Sequence, residues 1–188
     1  IKTLKKLKGN SAIGHVRYST AGGSIKENIQ PLFANLADGG FACAHNGNLI
    51  NANNLREKLT KTGSIFQTTS DTETILQLVA RSKEISVEKK IVDAIGKIKG
   101  AFSLVILTKD KMYGIKDPFG IRPLVIGKIN NSFILASETC ALDMIGAKYV
   151  RDVKNGEIVE ISIHGMRSIK AFAKINERPC IFERIYFS

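Results

Sequence analysis

The chain has 188 residues, 44% of them hydrophobic and 24% charged, a composition that fits one globular domain with a buried core. No apolar run is long enough to cross a bilayer, and the lysine-rich start lacks the apolar centre of a secretory signal, so we expect a cytoplasmic protein without a membrane partner. A net charge of +11 would suit a nucleic-acid partner, but glutamates are interspersed among the lysines as on a solvated surface, and we expect none.

Apolar runs of strand length and stretches of helical periodicity follow one another along the chain, separated by Gly, Asn and Asp. In chain order they predict strands at 11–17 and 41–45, helices at 51–62, 71–82 and 87–99, strands at 101–108, 112–116, 122–127 and 132–137, a short helix at 140–146 and a strand at 157–163. Strands joined by short turns after residue 100 indicate an antiparallel sheet, and the grouped helices suggest layers within one domain.

The chain carries three cysteines, Cys43, Cys140 and Cys180. Their odd number and wide spacing predict reduced thiols rather than a disulfide framework. We expect Cys140 to act as a small buried residue of the short helix.

Three short segments carry the residue types that a free amino acid requires. A zwitterion needs one fixed cation and one fixed anion, and Arg17 and Asp71 are the candidates. The capping residues around Asp71 place it at the start of a helix. Hydrolysis of a side-chain amide also needs donors aimed at an oxyanion, which the Asn46 side chain and the unhindered Gly47 backbone can supply. The sequence therefore predicts a pocket for glutamine.

Six ordered stretches, GHVRYSTAG, AHNGNLINA, GSIFQTTSDTE, IKDPFGIRPLVIG, ASETCALDMIGA and PCIFERIYFS, resemble the class II glutamine amidotransferases over nearly the whole chain. The resemblance implies an α+β fold, the four-layer αββα sandwich of the N-terminal-nucleophile hydrolases with antiparallel sheets. Where the hexosamine branch of this family carries histidine, the chain has Ala21, which favours the phosphoribosyl branch.

By this resemblance, Arg17 clamps the glutamine carboxylate, Tyr18 and Thr20 shape the same wall, and Asp71 takes the ammonium. Asn46 and Gly47 form the oxyanion hole. Strand alternation turns His15 away from the ligand face, so we expect a structural role for it. The family needs no histidine base, so we expect His45 to be buried and hydrogen-bonded.

The segment at Asp117 to Pro123 is rich in turn residues, and Arg122 within it binds an anion or pairs with Asp117. The resemblance makes an architectural role the default for this segment.

The nucleophile of this family is an N-terminal cysteine, whereas residue 1 here is isoleucine. We therefore expect residues 1–188 to be an incomplete amidotransferase domain that lacks the opening strands and the nucleophile. We also expect the following phosphoribosyltransferase domain to be absent, and the fragment alone to be inactive.

The glutaminase half of the family needs no cofactor, and its substrate is glutamine. In the absent domain the resemblance implies phosphoribosyl pyrophosphate and magnesium, with ammonia from glutamine yielding phosphoribosylamine for purine synthesis. Some members hold a [4Fe–4S] cluster, and Cys180 is a candidate ligand for it, although one cysteine cannot define such a site. We expect the complete protein to be a homo-oligomer.

Two other interpretations remain open at this point. One is the glutaminase domain of another class II enzyme, such as asparagine synthetase or the hexosamine enzyme. The other is a basic interaction module that kept the fold and lost catalysis. The sequence upstream and downstream of these residues would distinguish another class II enzyme from one of the phosphoribosyl branch. A glutaminase assay of the full-length protein would distinguish an active enzyme from an interaction module.

Overall fold

The computed structural model describes residues 9–17 and 25–170, together with positions 172, 176, 178, 180, 181 and 185. In these residues the chain forms strands and α-helices in a mixed order. They are β1 (Leu32–Leu36), β2 (Gly39–Leu49), α1 (Ala52–Lys61), α2 (Asp71–Ala80), α3 (Val87–Ile95), β3 (Gly100–Thr108), β4 (Met112–Lys116), β5 (Val125–Ile129), β6 (Ser132–Ala136), α4 (Thr139–Met144), β7 (Lys148–Asp152), β8 (Glu157–Ser162) and β9 (Gly165–Lys170).

The strands form two antiparallel sheets. The larger has six strands in the order β1-β2-β3-β4-β8-β9, and the smaller has three in the order β6-β5-β7. Strands β2 and β3 pair along nine residues at the centre of the larger sheet, from Phe41 opposite Thr108 to Leu49 opposite Gly100. The antiparallel prediction is confirmed.

Three clusters of buried apolar side chains define four layers. The first joins the larger sheet to α1, α2 and α3, as in the packing of Phe102 and Leu104 with Ile75 and Ile91. The second, which includes Val159 and Ile126, lies between the two sheets. The third joins α4 to the outer face of the smaller sheet through Leu142. The order helix, sheet, sheet, helix is the predicted αββα sandwich.

Some predicted elements differ from the observed ones. Residues 11–17 form no strand, because no partner strand lies beside them among the described residues. Strands β1, β7 and β9 were not predicted, and β7 is a largely exposed strand rich in charge, so its sequence lacks a clear apolar alternation. Strand β2 continues past the predicted end at residue 45 to Leu49, because its polar end still pairs with β3.

Helix α2 begins where the sequence predicted, and its start is held by buried polar contacts. The Ser70 hydroxyl caps the helix by accepting from the Thr72 N–H. Glu73 is buried and accepts from the backbone N–H groups of Gln67 and Thr68, which fixes the loop before the helix. Because Ser70 supplies the cap, the neighbouring Asp71 carboxylate is left for other contacts.

A buried carboxylate ties the far edge of the larger sheet together. Glu160 on β8 accepts from Arg167 Nε at 2.7 Å and from Lys111 Nζ at 2.9 Å, and Arg167 also contacts Glu88 on α3. The Arg167 guanidinium, assisted by Lys111, lowers the pKa of Glu160 to about 2. This carboxylate is therefore ionised in the folded protein at neutral pH.

We expect Glu160→Gln to lower the free energy of unfolding at neutral pH and to make it less dependent on pH in the acid range. The pKa of Glu160 is lower in the folded protein than its ordinary value of 4.5. Its ion pairs therefore stabilise the fold at pH values above 4.5, and this stabilisation is lost as the pH falls towards 2. The midpoint of thermal unfolding should then fall more steeply for the wild type than for the variant between about pH 5 and about pH 3. Glu57→Gln, at an exposed position of α1, is the control. Parallel curves for wild type and Glu160→Gln would contradict the prediction.

Candidate active site

A cavity of about 750 Å³ lies beside the polar end of β2. Four of the residues singled out from the sequence line it together, Arg17, Asn46, Gly47 and Asp71. They come from the segment 11–17, from β2 and from the start of α2, which are far apart along the chain. Tyr18 and Thr20 lie outside the described residues.

The cavity borders a free edge of β2. Strand β1 pairs with β2 only from Gly39 to Cys43, so on that side the rest of β2 has no strand beside it within the described residues. The His45 N–H at this edge donates to Gln30 Oε1 at 2.7 Å, and the Leu49 N–H donates to Asp71 Oδ2 at 3.0 Å. Alternation in a strand then sends the N–H of Gly47, midway between them, to the same edge.

The pairing with β3 supports this direction. Gly47 lies opposite Phe102, whose carbonyl accepts from Asp117 N–H on the far side of β3. Gly47 and Phe102 are therefore a non-hydrogen-bonded pair, and the Gly47 N–H points away from β3. The N–H groups on either side of it along this edge, those of His45 and Leu49, already donate to the side chains of Gln30 and Asp71. The Gly47 N–H lies between them and points towards the cavity.

Position 47 requires glycine. Its φ is +143°, and a Cβ built there would lie 2.0 Å from the carbonyl oxygen of Ala101. Any side chain would therefore force β2 and β3 apart at this point. The neighbouring Asn46 side chain lines the cavity and makes no hydrogen bond within the described part of the chain, so its amide is available as a second donor.

Asp71 supplies a fixed anion. Its Oδ2 accepts from Leu49 N–H, and its Oδ1 lies 3.4 Å from His45 Nδ1. Burial of this side chain opposes ionisation, but the His45 contact and the backbone N–H groups of Leu49 and Thr72 outweigh it and lower the pKa of Asp71. The group is thus a carboxylate at neutral pH.

Arg17 and His15 both line the cavity. The expectation that His15 turns away from the ligand face was wrong: residues two apart, such as His15 and Arg17, lie on the same face of a strand, and both residues line the cavity. Burial lowers the pKa of His15, and its electrostatic interactions with His45 and Arg17 lower it further, so this imidazole is neutral at pH 7. Arg17 therefore supplies a cation that His15 does not.

Sequence reasoning missed Gln30 and Glu138, which also line the cavity. No local pattern marks either residue, since each reaches the site only through the fold. Arg122 lines the cavity as well, while Asp117 is fully buried and accepts from the backbone N–H groups of Phe119 and Ile121. The Asp117 carboxylate thus holds the turn through its backbone N–H groups, in agreement with an architectural role.

The three cysteines are free thiols, as the sequence predicted. Cys43 is buried in the core, and burial raises its pKa to about 12. Cys140 is exposed, so the prediction that it is buried was wrong; its Sγ lies 3.4 Å from Glu138 Oε2, and this hydrogen bond raises its pKa. Within the described residues, no group of three or more His, Cys, Asp or Glu side chains could hold a metal ion.

The fold and the site define a class. The chain belongs to the glutamine amidotransferase family, whose domain model matches residues 15–144. Within that family its homologues are amidophosphoribosyltransferases, and the protein of that name from Rhizobium etli is 48% identical over 99% of this chain. None of the described helices is long and apolar enough to span a membrane.

Solved structures agree with this placement. The glutamine phosphoribosylpyrophosphate amidotransferase of B. subtilis, complexed with ADP and GMP, is 44% identical over 98% of this chain, with a TM-score of 0.93. A structure described as the allosteric regulatory enzyme of purine biosynthesis is 46% identical, with a TM-score of 0.95. The chain spans between 38% and 41% of the length of these relatives. The predicted N-terminal-nucleophile hydrolase fold is confirmed.

Proposed function

We propose that this chain is the glutaminase part of an amidophosphoribosyltransferase. The whole protein frees ammonia from glutamine and passes it to phosphoribosyl pyrophosphate, which yields phosphoribosylamine. The observation that carries the proposal is the single cavity lined by Arg17, Asp71, Asn46 and Gly47. A cation, an anion and two oxyanion donors around one cavity are the groups that glutamine and its hydrolysis require.

In this proposal the two charged residues hold the α-carbon end of glutamine. The Arg17 guanidinium takes the carboxylate, and the Asp71 carboxylate, held from behind by Leu49 N–H, takes the ammonium. The side-chain amide then extends along the free edge of β2. Its carbonyl oxygen accepts from Gly47 N–H and the Asn46 amide, which stabilise the negative charge of the tetrahedral intermediate.

The attacking group in this proposal is the thiol of a cysteine at the N-terminus of the mature protein, whose free amine relays the proton. Cys43 is a poor candidate because its pKa of about 12 leaves almost no thiolate at neutral pH. Residues 1–188 are accordingly proposed as part of one glutaminase domain, with the transferase domain elsewhere in the protein.

Four further predictions from the sequence stay proposals. Magnesium belongs to the transferase domain, and the complete protein is a homo-oligomer in the cytoplasm. A [4Fe–4S] cluster needs four protein ligands, and the described residues do not assemble such a set, so Cys180 remains a candidate for a single ligand.

The proposal is tested on the full-length protein. Purified protein should release glutamate from glutamine and should form phosphoribosylamine when phosphoribosyl pyrophosphate and magnesium are supplied, with either glutamine or ammonia as nitrogen source. A folded protein with a processed N-terminal cysteine and no glutaminase activity would instead favour a basic interaction module. Activity on a different ammonia acceptor would favour another class II enzyme.

In this full-length protein, Arg17→Ala should raise the glutamine KM about ten- to a hundredfold, because the hydrogen-bonded ion pair with the substrate carboxylate is lost. Synthesis from ammonia should be nearly unchanged, because ammonia does not use the carboxylate clamp. Arg81→Ala, which removes an exposed arginine at the end of α2, is the matched control. Equal losses of glutamine- and ammonia-dependent synthesis would count against the clamp.

A further inference from the structure

His45 is a buried titratable side chain that the proposed reaction does not use. It lies on β2 directly before Asn46, and its side chain is 1% exposed. Its Nδ1 lies 3.4 Å from Asp71 Oδ1 and 3.4 Å from Thr72 Oγ1. Its Nε2 is buried and has no hydrogen-bond partner among the described residues.

The carboxylate decides which nitrogen of His45 carries the proton. If Nδ1 were the acceptor, its lone pair would face the negative Asp71 oxygen, and a buried Nε2–H would be left without an acceptor. With the proton on Nδ1, the imidazole donates towards Asp71, and the unpaired atom is only a lone pair on Nε2. The contact with Asp71 is therefore what offsets the burial of this polar ring.

We propose that His45 is a positioning residue that fixes the Asp71 carboxylate for the substrate ammonium, an inference that rests on the proposed function. Leu49 N–H holds Oδ2 and His45 holds Oδ1, so both oxygens are fixed by groups of the central strand β2. Asp71 also lines the cavity, and each carboxylate oxygen keeps a further lone pair that can accept from a bound ammonium. A 3.4 Å contact is long, and such hydrogen bonds shorten when the substrate arrives.

The test uses the full-length enzyme and two substitutions of His45. Asn places its amide nitrogen close to where the imidazole has Nδ1, whereas Leu fills a similar volume without a donor. His45→Leu should raise the glutamine KM about tenfold, as expected when a hydrogen bond to a charged group is lost, with little change in kcat. His45→Asn should restore a KM within about threefold of the wild type. Ammonia-dependent synthesis should be unchanged in both.

Leu59→Ala, a core substitution in α1 away from the cavity, controls for lost stability, and its glutamine KM should equal that of the wild type. A normal KM for His45→Leu, or a KM for His45→Asn raised as far as that of His45→Leu, overturns the positioning role. Asp71→Asn in the same assay separates the two proposals. If it leaves the KM unchanged, the proposed ammonium site is wrong; if it raises the KM while His45→Leu does not, only the role of His45 falls.

Discussion

Asn46→Ala in the full-length enzyme should lower kcat for glutamine hydrolysis about 10²- to 10³-fold, the usual cost of removing one oxyanion-hole donor. The glutamine KM should change little, because this donor acts mainly on the charge that develops in the transition state. Ammonia-dependent synthesis should remain intact. Steady-state rates with glutamine and with ammonia, measured on the same preparation, check all three expectations.

Asn48→Ala is the matched control for this prediction. Asn48 lies two residues further along β2, is exposed, and does not line the cavity. Its loss should leave glutamine hydrolysis unchanged. If both substitutions lowered the rate of glutamine hydrolysis equally, the asparagines at this end of β2 would stabilise the strand and would not act in the reaction.

The start of α2 shows what local sequence can predict. Helix capping depends on side chains within a few residues, so the run Thr69, Ser70, Asp71 was enough to place Asp71 at the helix N-terminus. The contacts that make Asp71 a fixed carboxylate come from His45 and Leu49, more than twenty residues away. Their role depends on the packing of α2 against β2, which no local pattern contains.

The free edge of β2 shows the opposite case. The motif predicted Gly47 as a donor, but the direction of its N–H follows from where β1 stops pairing and from the register with β3. Gln30, which satisfies the amide of His45, carries no signal in the sequence. The sequence thus proposes Asn46 and Gly47 as oxyanion donors, while the geometry of the β2 edge comes only from the fold.

The segment 11–17 marks a further limit. Its apolar residues predicted a strand, and His15 was assigned to the face away from the ligand. The structure gives this segment no strand partner, and both side chains line the cavity. Residues two apart share a face of a strand, so the alternation rule itself places His15 with Arg17; without a partner strand, however, no register fixes which face meets the ligand.

Gly47→Ala should be more damaging than any other substitution at the site, because it alters both the fold and the donor. The new Cβ would meet backbone atoms of Ala101 and Phe102, which cannot move without opening the β2 and β3 pairing. Positive φ and overpacking together should cost about 2–5 kcal/mol. The midpoint of thermal unfolding should fall by about 5–15 °C.

Gly39→Ala separates strain from crowding in this experiment. Gly39 begins the same strand with a φ of +108°, but a Cβ there would meet no atom within 4 Å. It should show only the conformational cost, about 1–2 kcal/mol, and normal glutamine kinetics. If Gly47→Ala unfolds no earlier than Gly39→Ala and still loses glutaminase activity, the close approach of Ala101 is tolerated and the loss belongs to the displaced amide. If Gly47→Ala keeps full glutaminase activity, the Gly47 N–H is not an oxyanion donor.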